Sequence, residues 1–519
     1  MRRLPFLLAA ALLAGPLTAG SAKAAPNPAA TLVYYDAVGN QTLDPSEPQN
    51  NSSFAQGLLT AVYDSLIRLS SNGEPGPGLA VSWSQDPAFT TFTMKLRENV
   101  VFHDGTPFDA DVVRANFERN LSLGTRAGAA TAETFSAIAS VETPDARTVV
   151  LKLKSPNTQL PFLLGGQAGM MLSPAALKDA SGGWLFGNAI KPIGTGPYQV
   201  KSFDSNVKTV VTRFDRYWEG AADRPAALEH HFVPDANARL NALRSGQANL
   251  ALIEPRQIAE ARKAGLDVKI NEKDSAWVIY FNLGRAHFDD VRVRRAFMHA
   301  IDREGLAEAL SYGSGKPSAQ LFSAKSPVVD PALEQRYPYD PGKARKLLAE
   351  AGLKDGLDIG FLLINTTEYR QLAEALQAML AESGFRLKFD TVDASQYVLF
   401  RRPPGRGDMM MTRWGGRPDP LQTFQEVVGS GGSVNPGGVA APEIDTLIRD
   451  VRTLPPSDPK RLEKLRALNA VTVESAAAAP VMTRSNVYAF QPGCIQNLPP
   501  HLPTGNDRIN DTTVSAGCK

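Results

Sequence analysis

The sequence predicts an α/β protein of more than one domain, and three observations support this prediction. The chain has 519 residues, which is longer than one domain usually is. The apolar segments LDIGFLLI and RLKFDTVD are predicted strands on either side of a helical segment. This strand–helix–strand order is typical of a parallel sheet with helices packed on it. Hydrophobic residues make up 43% of the chain and charged residues 21%, as in an ordinary globular protein.

The N-terminus has the pattern of a secretory signal peptide. The basic start MRR precedes the apolar run LPFLLAAALLAG, and an A-x-A site ends at Ala24. We therefore predict that residues 1–24 are cleaved and that the mature protein is exported. A membrane anchor is disfavoured because Pro16 ends the apolar run too early to span a bilayer. No cysteine lies near the cleavage site, so a lipid anchor is not expected.

Charge excludes one class of partner. Without residues 1–24 the chain has 52 basic and 53 acidic residues, a formal net charge of −1. This balance gives no reason to expect nucleic acid as a partner. No later segment has 18 uninterrupted apolar residues, so the mature protein is expected to be soluble.

The two cysteines, Cys494 and Cys518, both lie near the C-terminus. An exported protein meets an oxidising compartment, so we predict a disulfide that holds the C-terminal tail. Two free thiols are the alternative, and two cysteines alone do not make a metal site.

Helical segments dominate the second half of the chain. Residues 291–310 place Val293, Phe297 and Ile301 on one face, and a single helix is predicted there. Asp235 and Asp340 are predicted N-caps of two further helices.

Residues 97–117, RENVVFHDGTPFDADVVRANF, contain side chains that also occur in catalytic and metal sites. His103 and Asp104 are neighbours, but no nucleophile or third ligand lies near them in the sequence. Asp104 begins a turn dipeptide, and Asp109 stands where a helix N-cap belongs. We therefore predict that the segment is scaffold.

The same segment resembles one that is carried by the solute-binding proteins of family 5, the peptide and nickel class that serves bacterial ABC importers. Other motifs match this family in the same order along nearly the whole mature chain. They are LDP (43–45), VYDSLIRL (62–69), PGLAVSW (77–83), PIGTGPYQV (192–200), DRYWEG (215–220), FDDVRVRRAFMHAIDRE (288–304), YDPGKARKLLAEAG (339–352) and RWGGRPDP (413–420).

The resemblance implies a two-lobed fold of the periplasmic binding protein-like II type. The first lobe would comprise residues 25–276 and 485–519, with an extra subdomain near 56–189, and the second lobe residues 277–484. Two strands would form the hinge between the lobes, and the apolar segments VIYFN and SNVYAF suit this role.

The resemblance implies binding without turnover. The expected ligand is an oligopeptide or a peptide-like compound, captured between the lobes by a monomer and delivered to a membrane permease with its ATPase. An opine, an oligosaccharide or a metal chelate is the alternative, and no cofactor is expected. An exported hydrolase is the hypothesis from another class, but the sequence lacks G-x-S-x-G, H-E-x-x-H and C-x-x-C.

The loop RWGGRPDP is the strongest candidate for ligand contact. Trp414 offers an apolar surface, and Gly416 allows close approach of the backbone. Asp419 resembles the carboxylate that pairs with the ligand's α-amino group in peptide-binding members. The alternative is that Asp419 begins a turn and caps the following segment.

Further candidates flank this loop and the predicted hinge. Arg413 and Arg417 suit a carboxylate or phosphate, with solvated surface arginines as the alternative. Asn435 either contacts ligand or structures its glycine-rich loop. Trp277 and Tyr397 either line the cleft or pack in the core.

In the first lobe, Asn50 and Asn51 are the candidates for ligand contact. Dipeptide-binding members tend to have an arginine just before the helix that begins here near TEYRQ, whereas Arg370 lies within that helix. A metal site is not expected, because His230 and His231 are neighbours on a strand and point to opposite faces.

Overall fold

The structure is a computed structural model of the chain. It describes residues 25–47, 53–71, 73–124, 134–393, 396, 400, 405–498, 508–516 and 518. The predicted signal peptide, Asn50, Asn51 and Tyr397 lie outside these residues. No helix within the described ranges is long and apolar enough to cross a membrane.

One ten-stranded sheet runs through the molecule. Its strands, side by side, are β14 (Phe385–Val392), β13 (Leu357–Ile364), β15 (Met409–Trp414), β12 (Asp267–Phe281), β16 (Ala478–Phe490), β11 (Leu250–Ile253), β1 (Thr31–Asp36), β10 (Ala227–Phe232), β9 (Lys208–Arg213) and β8 (Tyr198–Asp204). The shorter strands are β2 (Ile67–Leu69), β3 (Pro75–Pro77), β4 (Ala80–Gln85), β5 (Thr91–Leu96), β6 (Ile138–Asp145), β7 (Thr148–Leu153), β17 (Ile495–Asn497) and β18 (Thr513–Val514).

The described α-helices pack on these sheets. They are α1 (Ser53–Val62), α2 (Ala110–Leu123), α3 (Leu160–Leu163), α4 (Pro174–Leu177), α5 (Ala236–Arg244), α6 (Ile258–Lys263), α7 (Val291–His299), α8 (Arg303–Ser311), α9 (Pro331–Glu334), α10 (Pro341–Glu350), α11 (Thr367–Glu382), α12 (Pro420–Val427), α13 (Pro442–Arg452) and α14 (Pro459–Glu474).

Two long antiparallel strands, β12 and β16, join the two halves of the ten-stranded sheet. Residues 267–272 of β12 pair with 485–490 of β16, and residues 276–280 pair with 478–483. The register shifts between Glu272 and Ala276, where one part ends and the other begins. The first part adjoins β11 and the second adjoins β15. These strands form the expected two-strand hinge.

In the first half of the sheet, β1 pairs in parallel with β10 and β11. Tyr34 of β1 belongs to the core under α1, and Tyr35 packs on the core that contains residues of α5 and α6. Asp235 caps α5 as predicted, because its carboxylate accepts a hydrogen bond from the backbone N of Ala238.

The second half contains the predicted parallel unit. Strands β13 and β14 pair in register from Leu357↔Phe385 onward, and α11 connects them. Asp340 caps α10 as predicted.

The prediction of a single helix over residues 291–310 was wrong. Helix α7 ends at His299, and α8 begins at Arg303. The Asp302 carboxylate accepts a hydrogen bond of 2.9 Å from the backbone N of Gly305 and so starts a new helix. Apolar spacing does not reveal this break, because the buried faces of both helices belong to one core.

The first half also carries a separate four-stranded sheet in the order β4-β5-β7-β6. Phe92, Met94 and Leu96 of β5 are buried in one core with Val113 and Phe117 of α2. This unit lies within the range expected for the extra subdomain, whose boundaries, like those of the lobes, stay predictions.

The segment 97–117 is scaffold, as predicted. The imidazole Nε2 of His103 lies 3.0 Å from the Gly196 carbonyl, and the backbone N of Gly194 donates to Nδ1. Burial lowers the pKa of His103. Asp109 is the N-cap of α2 and accepts from the backbone N of Val112 at 3.0 Å. These side chains hold backbone in place.

At the C-terminus, Cys494 and Cys518 form the predicted disulfide. Strands β17 and β18 pair beside it, and the backbone N of Ser515 donates to the Cys494 carbonyl. The tail is therefore fastened to the first half by covalent and hydrogen bonds together.

A fully buried ion pair fixes the LDP motif to α2. The Arg119 guanidinium pairs with the Asp44 carboxylate, and their side chains are 1% and 0% exposed. Asp44 also accepts from the backbone N atoms of Ser46 and Gly187. Both charges are buried, so removal of one side chain leaves the other charge in the protein interior without its opposite charge.

We predict that Arg119→Met destabilises the protein by about 3–5 kcal/mol, since it leaves the Asp44 carboxylate buried without its cation. Arg114→Met, on the exposed side of the same helix, should change stability by less than about 0.5 kcal/mol. Urea unfolding of both variants measures the difference. Equal midpoints for the two variants would contradict the prediction.

Candidate functional site

The two halves of the sheet present their carboxyl edges to each other. Strands β13, β14 and β15 are parallel. At the end of β15, Trp414 pairs with Ala276 of β12, which in turn pairs with Thr483 of β16. Strands β1, β10 and β11 are also parallel, and Ile253 at the end of β11 pairs with Val487. Both edges thus lie at the level of the register shift in the hinge. Ligands of α/β proteins bind outside carboxyl edges, so the candidate site is the interlobe cleft.

The loop RWGGRPDP begins at this edge. Trp414 is 3% exposed and packs in a core with Leu421 and Phe424. Its indole Nε1–H has no hydrogen-bond partner among the described residues. Gly416 has a φ of 69°, a conformation that suits glycine. The Trp414 ring is therefore mostly covered, with one polar atom unsatisfied.

Arg417 covers part of the Trp414 ring. Its guanidinium carbon lies 4.5 Å from the ring centroid. Arg417 also donates two hydrogen bonds of 2.6 Å to the Glu426 carboxylate. The bidentate pair and the stacking hold this arginine in one place.

Asp419 is buried and has three hydrogen-bond donors. Its carboxylate accepts from the Leu421 backbone N at 3.1 Å, which caps α12, and pairs with Arg461 at 2.5 Å. The third donor is Nε2 of Gln159 at 3.2 Å. The capping role proposed from the sequence is thus present. The Asp419 side chain is 1% exposed, so these three contacts account for its surroundings.

The contact between Gln159 and Asp419 joins the subdomain of the first half to the second half. Gln159 Nε2 also lies 3.1 Å from Oε1 of Gln425. Beside it, the Thr158 hydroxyl donates to the Arg452 carbonyl at 3.0 Å. These polar contacts connect the two sides of the cleft directly.

A second polar cluster lies at the carboxyl edge beside the hinge. Arg413 of β15 and Arg484 of β16 share the Glu368 carboxylate, at 3.6 and 3.4 Å. The Arg413 guanidinium carbon also lies 5.9 Å from the ring centroids of Trp277 and Tyr369. Although burial opposes it, Glu368 raises the pKa of Arg413. Burial and then Arg413 lower the pKa of Arg484.

Asn435 and Trp277 have visible structural roles. The Asn435 amide donates to the carbonyls of Gly429 and Val439 and so holds the glycine-rich loop. Trp277 is 4% exposed, and its ring meets Tyr369 edge-on at a centroid distance of 4.8 Å. Both side chains position the residues beside them.

The neighbouring histidines of β10 face opposite sides of the sheet. His230 stacks on Tyr34, whereas His231 stacks on Tyr35. Across the described residues, no group of three or more His, Cys, Asp or Glu side chains is arranged to hold a metal ion.

A comparison with protein families decides the class. The family described as "Bacterial extracellular solute-binding proteins, family 5 Middle" matches residues 74–435. The chain belongs to this family. Its curated relatives include the glutathione-binding protein GsiB of Salmonella paratyphi A, which is 29% identical over 372 residues, or 69% of each chain.

Solved structures agree on the fold. NikA from Brucella suis, in complex with Fe(III)-EDTA, has a TM-score of 0.80 at 25% identity, over 93% of this chain and 99% of NikA. AgaA from A. tumefaciens R10, in complex with agropinic acid, has a TM-score of 0.78 at 22% identity, over 93% of this chain and 98% of AgaA. The two-lobed fold expected from the sequence is therefore confirmed.

The structure brings four further side chains to the cleft that the sequence analysis did not select. Gln159 and Arg461 surround Asp419, and Glu368 and Arg484 surround Arg413. Arg461 and Glu368 lie in helices rich in charged residues, where a charged side chain is ordinarily solvated. Of these four side chains, Arg484 alone could have been found from the sequence, because it is a charged residue within the largely apolar strand segment PVMTRSNVYAF.

We predict that Gln159→Ala shifts this solute-binding protein toward an open form, because it removes hydrogen bonds between the two sides of the cleft. A loss of about 1–2 kcal/mol corresponds to a population shift of roughly five- to thirtyfold. Small-angle scattering should show a larger radius of gyration. Gln371→Ala, on the exposed side of α11, is the control, and an unchanged radius in Gln159→Ala would contradict the prediction.

Proposed function

We propose that the protein is exported, captures a peptide or peptide-like solute between its lobes, and delivers it to an ABC importer. The observation that carries this proposal is the match to glutathione-binding relatives over 69% of the chain. Glutathione is itself a modified tripeptide. The expected partners are an inner-membrane permease and its ATPase, and the working form is a monomer without catalytic activity.

The proposed export route and lobe boundaries follow from the sequence. Residues 1–24 would be removed as a signal peptide, which leaves a periplasmic protein. The first lobe would comprise 25–276 and 485–519, with its subdomain near 56–189, and the second lobe 277–484. The register shift between Glu272 and Ala276 supports a boundary at this point of β12.

Closure follows from the hinge. Since β12 and β16 are the strands that carry the described sheet from one half to the other, a small change at the register shift moves whole lobes. A solute that contacts both carboxyl edges binds better to the closed form, and its differential affinity sets the population of that form. The closed form then presents a surface that the permease distinguishes from the open one.

The proposed ligand contacts centre on the loop RWGGRPDP. Arg413 is 32% exposed at the carboxyl edge and suits an anionic group of the solute. Asp419 is the proposed acceptor for a ligand amine, although its side chain is 1% exposed and Arg461 already balances its charge. The remaining proposed contacts are Trp414, Gly416, Arg417, Asn435, Trp277, Tyr397, Asn50 and Asn51.

A non-peptide solute is the second candidate. The observation that favours it is the pairing of Asp419 with Arg461, which satisfies the carboxylate without a ligand amine. NikA bound to Fe(III)-EDTA and AgaA bound to agropinic acid show that this fold accepts such compounds. A chelate, an opine or an oligosaccharide would use the same cleft and the same closure.

Native mass spectrometry of the mature protein, isolated under mild conditions, tests the proposal. We expect an adduct of peptide mass, since a bound solute stabilises the folded state by mass action. Added glutathione should raise the melting temperature of the emptied protein. A non-peptide adduct, with no response to glutathione or tripeptides, would replace the peptide proposal by the second candidate.

Asp419→Asn separates the two roles of that residue. It keeps the size of the side chain and removes the charge, and Arg461→Gln is the matched control for loss of the ion pair. If the ligand amine binds Asp419, Asp419→Asn should weaken peptide binding roughly tenfold more than Arg461→Gln does. Equal effects in isothermal titration would assign Asp419 a structural role only.

A further inference from the structure

The second half of the molecule contains a polar pocket that lies apart from the loop RWGGRPDP. The pocket has a volume of about 340 Å³, which is within the range of small-molecule sites in proteins. One of its walls is a face of α13. The other wall is formed by the end of α12 and by the glycine-rich segment 429–433. We call this space the α13 pocket.

Backbone forms much of the wall opposite α13. The segment 429–433 folds back against the last turn of α12. A Cβ atom on Gly429 would lie 2.9 Å from the carbonyl oxygen of Gln425, and a Cβ atom on Gly432 would clash with the same oxygen. Glycine is therefore needed at both positions. Because this segment carries small side chains, the space between it and α13 stays open.

The α13 wall has charges of opposite sign at its two ends. Asp445, Ile448 and Arg452 line the pocket, and their spacing of three and seven residues places them on one face of the helix. The apolar Ile448 lies between the two charges. The helix dipole favours an acid near the start and a base near the end of a helix, so the signs alone do not indicate a ligand. The cavity between the two charges does.

Asp445, at the start of this wall, is held in place by the opposite wall. Its carboxylate accepts a hydrogen bond of 2.9 Å from the backbone N of Ser430 and another from the Ser430 hydroxyl. The residue remains partly exposed. A negative charge is thus fixed at this end of the pocket, where a dissolved molecule can reach it.

Arg452 provides the positive charge at the other end of the wall. It is the last residue of α13 and is exposed. Its backbone carbonyl accepts a hydrogen bond of 3.0 Å from the Thr158 hydroxyl. On the opposite wall, Gln425 accepts one of 3.1 Å from Gln159. The α13 pocket therefore lies beside the contacts that join the subdomain to the second half.

Glu426 is the remaining charged residue among the described residues that line the pocket. Its carboxylate accepts two hydrogen bonds of 2.6 Å from Arg417 and one of 2.9 Å from the Ser433 hydroxyl. The charge of Glu426 is thus balanced within the protein. Asp445 and Arg452 set the electrostatic polarity of the pocket.

We propose that the α13 pocket binds a short zwitterion of dipeptide length, with its ammonium group at Asp445 and its carboxylate at Arg452. The seven residues from Asp445 to Arg452 rise about 10 Å along the helix. An extended dipeptide is about 7 Å long, so its two charged ends can contact both side chains. This is a second site, and it does not depend on which solute the lobes enclose.

Methyl NMR of the isoleucine-labelled mature protein tests the proposal, because Ile448 lies between the two charges. The probes are alanylalanine, its N-acetyl derivative and its amide, so that each blocked compound lacks one charge. We expect alanylalanine to shift the Ile448 methyl resonance with a dissociation constant about tenfold lower than that of either blocked compound. Ile359, which is buried in a separate core, provides the reference resonance.

Two variants should give complementary patterns. Asp445→Asn should weaken binding of alanylalanine and its amide about tenfold and leave the N-acetyl derivative unchanged. Arg452→Met should weaken binding of alanylalanine and the N-acetyl derivative about tenfold and leave the amide unchanged. A misfolded variant would lose all three compounds, so the pattern separates loss of charge from unfolding. Arg449→Met, which is exposed on the same helix but does not line the pocket, is the control.

Three results would overturn the zwitterion site. They are an Ile448 resonance that does not respond, equal responses to the three probes, and variants that bind alanylalanine as tightly as the unaltered protein does. In the last case the dipeptide binds elsewhere, and the proposed function stands. If both variants misfold, the comparison of the three probes on the unaltered protein decides. Native mass spectrometry tests the proposed function independently, so the two proposals fail separately.

Discussion

The pairing of β12 with β16 is the constraint on which the rest of the structure depends. Ten strands form one continuous sheet, yet the strands on either side of this pair belong to different lobes. The register shift between Glu272 and Ala276 divides this strand pair into two parts. One part lies beside β11, and the other part lies beside β15. Because parallel strands on both sides end near this shift, their carboxyl edges define a cleft. The hinge and the candidate site are therefore consequences of one piece of backbone pairing.

Buried and partly exposed ion pairs among the described residues differ in how they are built. Arg119 with Asp44 and Arg461 with Asp419 are buried one-to-one pairs, and each fastens a loop to a helix. Such pairs need exact partners because desolvation makes a lone charge costly. Arg413 and Arg484 are different, since both lie near the Glu368 carboxylate, at 3.6 and 3.4 Å, and all three side chains are partly exposed.

Much of the fold was predictable from local patterns. Apolar segments identified β13 and β14, and terminal aspartates identified the starts of α2, α5 and α10. These features are local, because a cap or a strand face involves residues that are close in sequence. The single helix predicted over residues 291–310 failed at Asp302, because two helices that pack on one core share an apolar pattern. The candidate site was predictable only as far as its loop, RWGGRPDP.

By itself, the sequence determined that the chain is a two-lobed α/β solute-binding protein, that Cys494 and Cys518 pair, and that His103 and Asp109 are scaffold. Motif order and local capping carry this information, and both can be seen along the chain. Only the tertiary structure decided which charges meet. Asp419 meets Arg461 and Gln159, and Arg413 shares Glu368 with Arg484. Arg461 lies 42 residues and Gln159 lies 260 residues from Asp419 in the sequence. Sheet register and lobe contact bring such distant residues together, and no local pattern records either one.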